Sequence, residues 1–407
     1  MSNQKTNGSI IAIITMMFLY AMISFVTNLG APIGVIWKNQ PEIGGSNVLG
    51  IMGNFMNFFA YLFMGIPAGK MLTKVGYKKT ALIGIAVGFV GVLIQYLSGF
   101  SGGIPGFCIY LFGAFISGFY VCILNTVVNP MLNLLGGGGN RGNQLNMIGG
   151  TLNSLAGTMT PMLVGALIGT VTASTQMADV NLVMYIAMTV FAAAFVALIF
   201  IPIKDPEMGK VTAETVFEHS PWSFRHCLLG VIAIFVYVGV EVGIPGGLNF
   251  YLSDTSANGA WVNPGAVVNA ATIGGAVAAM YWLLMLVGRL CSSFIAAKVS
   301  SRHLMLIATF ACMILILAAI FTPKSVTVSM PLISILEGTI TSTTVPLTAL
   351  LLVLCGLFTS VMWASIFNLA TEGLGKYTAQ ASGIFMMMVV GGGVLPVVQN
   401  FFADIFG

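Results

Sequence analysis

The stretch that decides the fold is residues 226–252, HCLLGVIAIFVYVGVEVGIPGGLNFYL. Its apolar residues follow one another without the alternation of a half-buried strand. The run exceeds the roughly 20 residues that a helix needs to cross a bilayer. Glu241 is the single acid in it, and an ionisable side chain at that depth must face a cavity or a partner. We therefore predict a membrane-spanning helix that carries a functional carboxylate.

The composition of the whole chain agrees with this prediction. Of its 407 residues, 57% are hydrophobic and only 6% are charged, whereas an ordinary soluble domain has roughly 25% charged residues. So few charges cannot cover the surface of a soluble protein, which excludes a soluble enzyme and a disordered chain. The net charge of +4 is too small for a basic nucleic-acid surface. The expected surroundings are the lipid bilayer, with no nucleic acid as a partner.

Further apolar runs of similar length occur along the chain, without the ten-residue alternating segments of a membrane barrel. They predict an all-α membrane protein with eleven spans. The predicted helices are 10–36, 47–69, 80–99, 104–135, 146–170, 180–202, 226–252, 268–297, 302–322, 342–369 and 378–403.

Basic residues are distributed unevenly between the loops. With the N-terminus in the cytoplasm, twelve Lys and Arg residues fall in predicted cytoplasmic segments, whereas the outer loops hold only Lys38 and Lys324. Cytoplasmic loops of membrane proteins carry this excess. We therefore predict a multi-pass protein with a cytoplasmic N-terminus.

The two halves of the chain repeat one another. A shift of 235 residues takes Asn133 to Asn368 and Pro161 to Pro396 within similar Gly-rich surroundings. Parallel repeats with a binding site between them are typical of one large class of transporters. We predict an N-terminal six-helix bundle (1–202), a cytoplasmic linker (203–225) and a C-terminal bundle (226–407) in which five spans are recognised. A twelfth span is therefore expected to be absent or truncated.

Five segments carry a resemblance to a known family. They read FFAYLFMGIPAGKMLTKVGYKK (58–79), NTVVNPMLNLLG (125–136), LNSLAG (152–157), YVGVEVGIPGGLNFYL (237–252) and MWASIFNLATEGLGKYTAQASG (362–383). The chain resembles the major facilitator superfamily, in the branch of fucose permeases and glucose/galactose porters. The resemblance implies two helical bundles around a central cavity, alternating access, a hexose carried with a coupling ion, and a bacterial inner membrane.

The chain departs from the pattern of that branch at three positions. Asn28 and Asn125 stand where proton-coupled fucose permeases carry carboxylates, and Gly150 stands where the branch has a Gln. An amide hydrogen-bonds a sugar hydroxyl but does not exchange a proton near neutral pH. Proton symport by the usual route of the branch is therefore in question.

Glu241 is the candidate for ion coupling. The IPGG that follows it predicts a break in the helix, which would free carbonyl oxygens beside the carboxylate. Such a site suits Na⁺, or a proton on the carboxylate itself. The alternative is a structural hydrogen bond that braces the broken helix.

Amides within the spans are the candidates for sugar contact, because they both donate and accept hydrogen bonds. Their alternative role is hydrogen bonding between helices. Trp363, Trp282, Tyr61 and Tyr237 could stack on a pyranose ring. The predicted substrate-binding set is Asn28, Asn125, Asn129, Asn153, Asn249, Trp363, Asn368 and Gln399.

Charged residues at the cytoplasmic ends of helices are the candidates for gating. Lys70 and Lys74 resemble the cytoplasmic loop between helices 2 and 3 of the superfamily, for which the resemblance implies a gating role. Arg289 lies within a span, where it needs a partner or must reach the cytoplasmic edge, and the repeat relates it to Lys70. Glu372 lies in the predicted turn between the last two helices.

These features predict a secondary active transporter for a neutral monosaccharide, coupled to Na⁺ or H⁺. The alternatives are an uncoupled sugar uniporter and an efflux transporter of small amphipathic molecules. An enzyme is not expected, because the three histidines are scattered and no cluster of acids or metal ligands occurs. We expect no cofactor other than the coupling ion, and a monomer.

Overall fold

A computed structural model describes residues 2–137, 139–168, 171–172, 174–201, 203, 218–253, 270–296, 298–334 and 338–406. It is built almost entirely of helices, which confirms the predicted fold class. The helices are α1 (Ser2–Thr27), α2 (Gly30–Lys38), α3 (Asn47–Gly50), α4 (Met52–Leu97), α5 (Gly103–Leu135), α6 (Gly139–Ile168), α7 (Asn181–Phe200), α8 (Arg225–Ser253), α9 (Ala270–Ala296), α10 (Ser301–Phe321), α11 (Leu347–Thr359), α12 (Met362–Thr371), α13 (Thr378–Met388) and α14 (Gly391–Phe406).

Ten helical segments of the described residues are long and apolar enough to cross a membrane. They correspond to ten of the eleven predicted spans. The remaining span, 47–69, falls in α3 and the first part of α4, where Asn54 and Asn57 interrupt the apolar run. Its polar residues therefore face other helices, since both amides are buried.

Helix α4 contains two predicted spans joined at Gly76. The backbone there has φ 82° and ψ 172°, a conformation that glycine adopts readily and other residues avoid. The second part of α4 then returns along the bundle. Lys78, two residues on, donates from Nζ to the carbonyls of Ile199 and Ile201, both at 2.8 Å. It thereby satisfies carbonyls at the C-terminal end of α7.

The predicted start of the tenth span at residue 342 is wrong. Residues 327–334 and 339–346 form an antiparallel hairpin, β1 and β2, in which Thr327 pairs with Pro346. The helix begins only at Leu347. Hydropathy alone does not reveal these strands. The β-branched residues on both sides of Gly338 are a hairpin signal that does. Met330 and Val345 pack with residues of α8 and α9 in one apolar cluster.

The predicted break at IPGG is also wrong. Helix α8 runs from Arg225 to Ser253 with Pro245 inside it. A proline removes one backbone hydrogen bond and bends a helix, and the packed neighbours of a membrane helix can accommodate that loss. The helix therefore frees one carbonyl here, that of Glu241 four residues before Pro245, and not a row of them.

The two halves meet through small residues. A Cβ on Gly275 of α9 would lie 2.6 Å from the Pro161 carbonyl oxygen of α6, and one on Gly65 of α4 would lie 2.8 Å from the Gly383 carbonyl oxygen of α13. Such close approach is how helices associate in lipid. The division into 1–202 and 226–407 stays a prediction, and linker residues 204–217 lie outside the described residues.

Candidate functional site

A small cavity of about 70 Å³ lies between the two halves. Side chains from α1, α4, α5 and α6 face those of α8, α9 and α12 across it. Its polar and aromatic lining residues are Tyr20, Ser24, Thr27, Asn28, Phe58, Tyr61, Asn125, Asn153, Glu241, Trp282, Arg289 and Trp363. Four of the predicted sugar contacts therefore converge here with the predicted coupling residue.

An ion pair lies on the wall of this cavity that the C-terminal half forms. The Nη2 atom of Arg289 is 3.6 Å from Oε1 of Glu241, and Tyr237 donates to the same oxygen at 2.7 Å. Both charged side chains are buried. Arg289 therefore has the partner that its depth requires, and it does not reach the cytoplasmic edge. Its predicted gating role stays a prediction.

Arg289 also contacts the opposite half. Its Nη1 donates to the carbonyl of Gly150 at 2.7 Å and to Oδ1 of Asn153 at 3.3 Å. The amide nitrogen of Asn153 donates in turn to the Tyr20 carbonyl at 2.9 Å. One guanidinium thus joins the carboxylate of α8 to the backbone and an amide of α6.

Asn129 is the centre of a second network. Its Oδ1 accepts from the Tyr20 hydroxyl and from the Trp363 indole nitrogen, the latter at 3.1 Å. Its Nδ2 donates to the backbone carbonyl of Asn125 at 3.0 Å and to its side-chain Oδ1 at 3.2 Å. Asn125 donates in turn to the Tyr61 hydroxyl at 2.9 Å. Asn129 is fully buried, so its side chain fixes the orientation of three residues that line the cavity.

A second cavity of about 30 Å³ adjoins the first, and Asn28, Val242 and Trp282 border both. Asn249 lines this second space, where its Oδ1 accepts from the Ser253 hydroxyl at 3.1 Å. Asn54 also lines it and donates to the Gly392 carbonyl at 3.0 Å. Asn249 is therefore beside the central cavity but not in it.

Two predicted sugar contacts lie elsewhere. Asn368 donates to the hydroxyl of Ser301 at 3.0 Å, where α12 meets the start of α10. Gln399 is exposed and lines a lateral groove between α8, α10, α11 and α14. Both residues were predicted as sugar contacts because they are amides within apolar runs. An apolar run does not indicate the face of the helix on which an amide lies.

The predicted gating residues Lys70, Lys74 and Glu372 are exposed. At their end of the bundle, Gln144 of α6 donates to the Ser293 carbonyl of α9 at 2.9 Å. These groups lie away from the central cavity, and their gating role stays a prediction.

The end predicted to face outward has its own contacts between the halves. The carboxylate of Asp404 on α14 accepts from the backbone nitrogens of Asn47 at 2.9 Å and Val48 at 3.1 Å, and from the hydroxyl of Ser46 at 3.0 Å. Phe250 of α8 lies against Gly50 of α3, where an added Cβ would be 2.7 Å from the ring. Contacts between the halves therefore lie on both sides of the cavity.

Sequence reasoning missed Tyr20, Ser24 and the carbonyl of Gly150. A signal for the first two was present, since positions 20, 24 and 28 are spaced by four and place polar groups on one face of α1. The role of Gly150 depends on the position of a residue from the other half. No local pattern could have indicated it.

Metal binding has little support in this arrangement. No group of three His, Cys, Asp or Glu side chains that could hold a metal ion occurs within the described part of the chain. A Na⁺ ion at Glu241 would lie beside the guanidinium of Arg289, and α8 offers it one freed carbonyl, that of Glu241 itself. The Na⁺ site near Glu241 therefore stays a prediction.

The family model of the Major Facilitator Superfamily matches residues 8–397. The chain is 27% identical over 410 residues to a glucose/galactose transporter of Brucella abortus (strain 9-941), covering all of this chain and 90% of that one.

Two further similarities involve a fucose transporter. The chain is 22% identical over 377 residues to the L-fucose-proton symporter of Escherichia coli (strain K12), covering 86% and 77% of the two chains. The crystal structure of the transporter FucP in the outward conformation superimposes with a TM-score of 0.71 at 18% identity, covering 98% of this chain and 94% of that one. This structural likeness supports the fold alone.

Proposed function

The chain belongs to the Major Facilitator Superfamily, and we propose that it carries a neutral monosaccharide across the inner membrane by alternating access. The supporting observation is the central cavity, in which amides, tyrosine hydroxyls and two tryptophans from both halves converge. Hydroxyl groups of a sugar need donors and acceptors together, and amides offer both. The glucose/galactose and fucose transporters among its relatives point to the same substrate class.

The proposed contacts are divided between the halves. Asn125 and Asn153 lie on the N-terminal half, and Trp282 and Trp363 lie on the C-terminal half. A sugar that contacts both halves stabilises the state in which they close around it. The contacts at the two ends of the cavity then open in turn. Asn129 acts through Trp363 and Asn125, whose side chains it orients.

The lining of the cavity disfavours efflux of amphipathic molecules. Such a substrate needs a broad apolar surface, whereas this cavity holds a buried ion pair and several amides. Two of the relatives are named as transporters of sugars, glucose/galactose and L-fucose. Sugar transport is therefore the better-supported function.

Two modes of sugar transport are compatible with this site. Coupling through Glu241 would require a cation to bind its carboxylate during the cycle. Uncoupled uniport requires none, and the pairing of Glu241 with Arg289 favours it.

The test is uptake of labelled glucose, galactose, mannose and fucose into proteoliposomes. We expect saturable uptake of at least one sugar by the wild type and a strong loss in Asn125→Ala. Gln399→Ala is the matched control, because Gln399 is an exposed amide outside the cavity. Equal loss in both variants, or no uptake of any of the four sugars, would contradict the proposal.

A further inference from the structure

We infer that Arg289 is a built-in cation at Glu241, which takes the place of a coupling ion and makes sugar transport through this chain independent of Na⁺ and protons. The inference rests on the proposed sugar transport and assigns its energetics.

The first observation is where the two charges lie. Glu241 is on α8 and Arg289 is on α9, so both belong to the C-terminal half. Movement of one half against the other leaves this pair, separated by 3.6 Å, together. The bonds that such movement breaks are those of Arg289 to Gly150 and Asn153 on α6. The carboxylate therefore keeps its countercharge in every state of the cycle.

The second observation is the charge balance of the cavity. Glu241 and Arg289 are the only charged side chains among the described residues that line it, so the pair is neutral as a unit. The other titratable groups near the pair are the phenols of Tyr20, Tyr237 and Tyr281, and the phenol of Tyr61 also lines the cavity. Na⁺ binding, or protonation of Glu241, would leave one uncompensated positive charge at a buried site. Burying an unpaired charge is strongly unfavourable.

The third observation is the space in which the guanidinium lies. A Cβ on Gly150 would be 3.0 Å from Nη1 of Arg289 and 3.3 Å from its Cδ. A long side chain at position 150 would therefore compete with the arginine for the same volume. The absence of a side chain at Gly150 admits the internal cation.

The remaining polar groups of the cavity do not supply another coupling site. Asn28 and Asn125 are amides, which cannot carry a proton near neutral pH. Asn28 donates to the carbonyl of Ser24 at 2.9 Å, and Asn125 donates to Tyr61. Both are neutral whatever the ion gradient.

The experiment compares four proteins in proteoliposomes under an inward Na⁺ gradient, an inward proton gradient and no gradient. They are the wild type, Arg289→Gln, Arg289→Lys and the double variant Glu241→Gln/Arg289→Gln. For the wild type and for each charge-balanced variant (Arg289→Lys and the double variant), whatever its transport rate, we expect a sugar plateau that is the same with a Na⁺ gradient, a proton gradient or none. In Arg289→Gln the carboxylate has lost its countercharge and must take one from solution.

Arg289→Gln should therefore gain an ion dependence that the wild type lacks. If the proton serves, its initial rate rises by up to about tenfold for each unit that the pH is lowered, following the protonated fraction. If Na⁺ serves, the rate rises with Na⁺ at constant ionic strength. Accumulation above equilibrium by the wild type under either gradient overturns the inference. So does an Arg289→Gln variant that transports at the same rate in all conditions.

A second measurement keeps the inference testable whatever the substrate. The thermal midpoint of each purified protein is measured with Na⁺ replaced by choline, and from pH 8 to pH 5.5. A cation that binds only the folded state raises its midpoint. We expect Na⁺ or acid to raise the midpoint of Arg289→Gln relative to the double variant, and neither to do so for the wild type. A wild-type midpoint that rises with Na⁺ refutes the inference, whereas failure of all sugar uptake refutes the proposed function alone.

Discussion

Removing one partner of the buried pair should reveal how strongly the two charges depend on each other. At the observed separation of 3.6 Å and an effective dielectric constant of about 20, Coulomb's law gives an attraction of about 5 kcal/mol. Breaking a buried pair by removing one partner costs roughly 3–5 kcal/mol, while removing both is often nearly neutral. Glu241→Gln should lower the free energy of unfolding by roughly 3–5 kcal/mol. The guanidinium of Arg289 would be left buried without a countercharge, and it cannot lose its proton.

Arg289→Gln should be less damaging than Glu241→Gln when the pH is low. The carboxylate that it leaves behind can take up a proton, so the loss of stability should shrink as the pH falls. The double variant should lie within roughly 2 kcal/mol of the wild type, since no unpaired charge remains. The coupling energy between the two substitutions is then about 3 kcal/mol or more.

The assay is reversible unfolding in mixed micelles, with the four corners of the double-mutant cycle measured at two pH values. Glu372→Gln is the control for loss of an acid, because Glu372 is exposed. It should change the free energy of unfolding by less than about 1 kcal/mol. Additive effects of the two substitutions at positions 241 and 289 would refute the reasoning, because they would mean that the two groups do not interact.

Three further results are expected. In a background without exposed native cysteines, Ser46→Cys with Asp404→Cys should form a disulfide on oxidation that blocks transport until it is reduced, because the two side chains are in contact at 3.0 Å across the halves; full transport by the oxidised pair would contradict a separation of the halves at this end. Asn129→Ala should weaken sugar affinity by releasing the Trp363 indole from its 3.1 Å bond, and an unchanged KM would show that this network does not position the site. Lys78→Ala should lower the free energy of unfolding by about 1–3 kcal/mol through loss of two bonds to α7 carbonyls, which chemical denaturation would measure against the exposed control Lys74→Ala.

The helical architecture followed from the sequence because the bilayer imposes a single strong constraint. Every backbone group in hydrocarbon must be satisfied within the segment, so apolar runs of about 20 residues become helices. The same hydropathy placed the start of a span at residue 342, whereas residues 339–346 form a strand of a hairpin that their β-branched residues favour. It also gave no information on Pro245, whose effect depends on the neighbours that pack against α8.

The sequence predicted several residues of the candidate site, but it did not predict the hydrogen bonds that join them. Glu241 was recognisable because a carboxylate within an apolar run must face a cavity or a partner. Asn125 and Asn153 were recognisable because they lie in segments that resemble the family. Their partners come from distant parts of the chain, as with Arg289 and the Gly150 carbonyl. The side on which Gln399 lies was not predictable, because hydropathy does not distinguish a cavity from a groove facing lipid.

The most direct test of the central claim is entrance counterflow. Proteoliposomes loaded with unlabelled sugar are diluted into a trace of the same sugar in labelled form, with no Na⁺ or proton gradient. A carrier whose single site alternates between the two faces should accumulate label transiently above its external concentration and then release it. The account predicts this overshoot for the wild type and its absence in Asn125→Ala; label in wild-type vesicles that never exceeds the level in protein-free vesicles would contradict it.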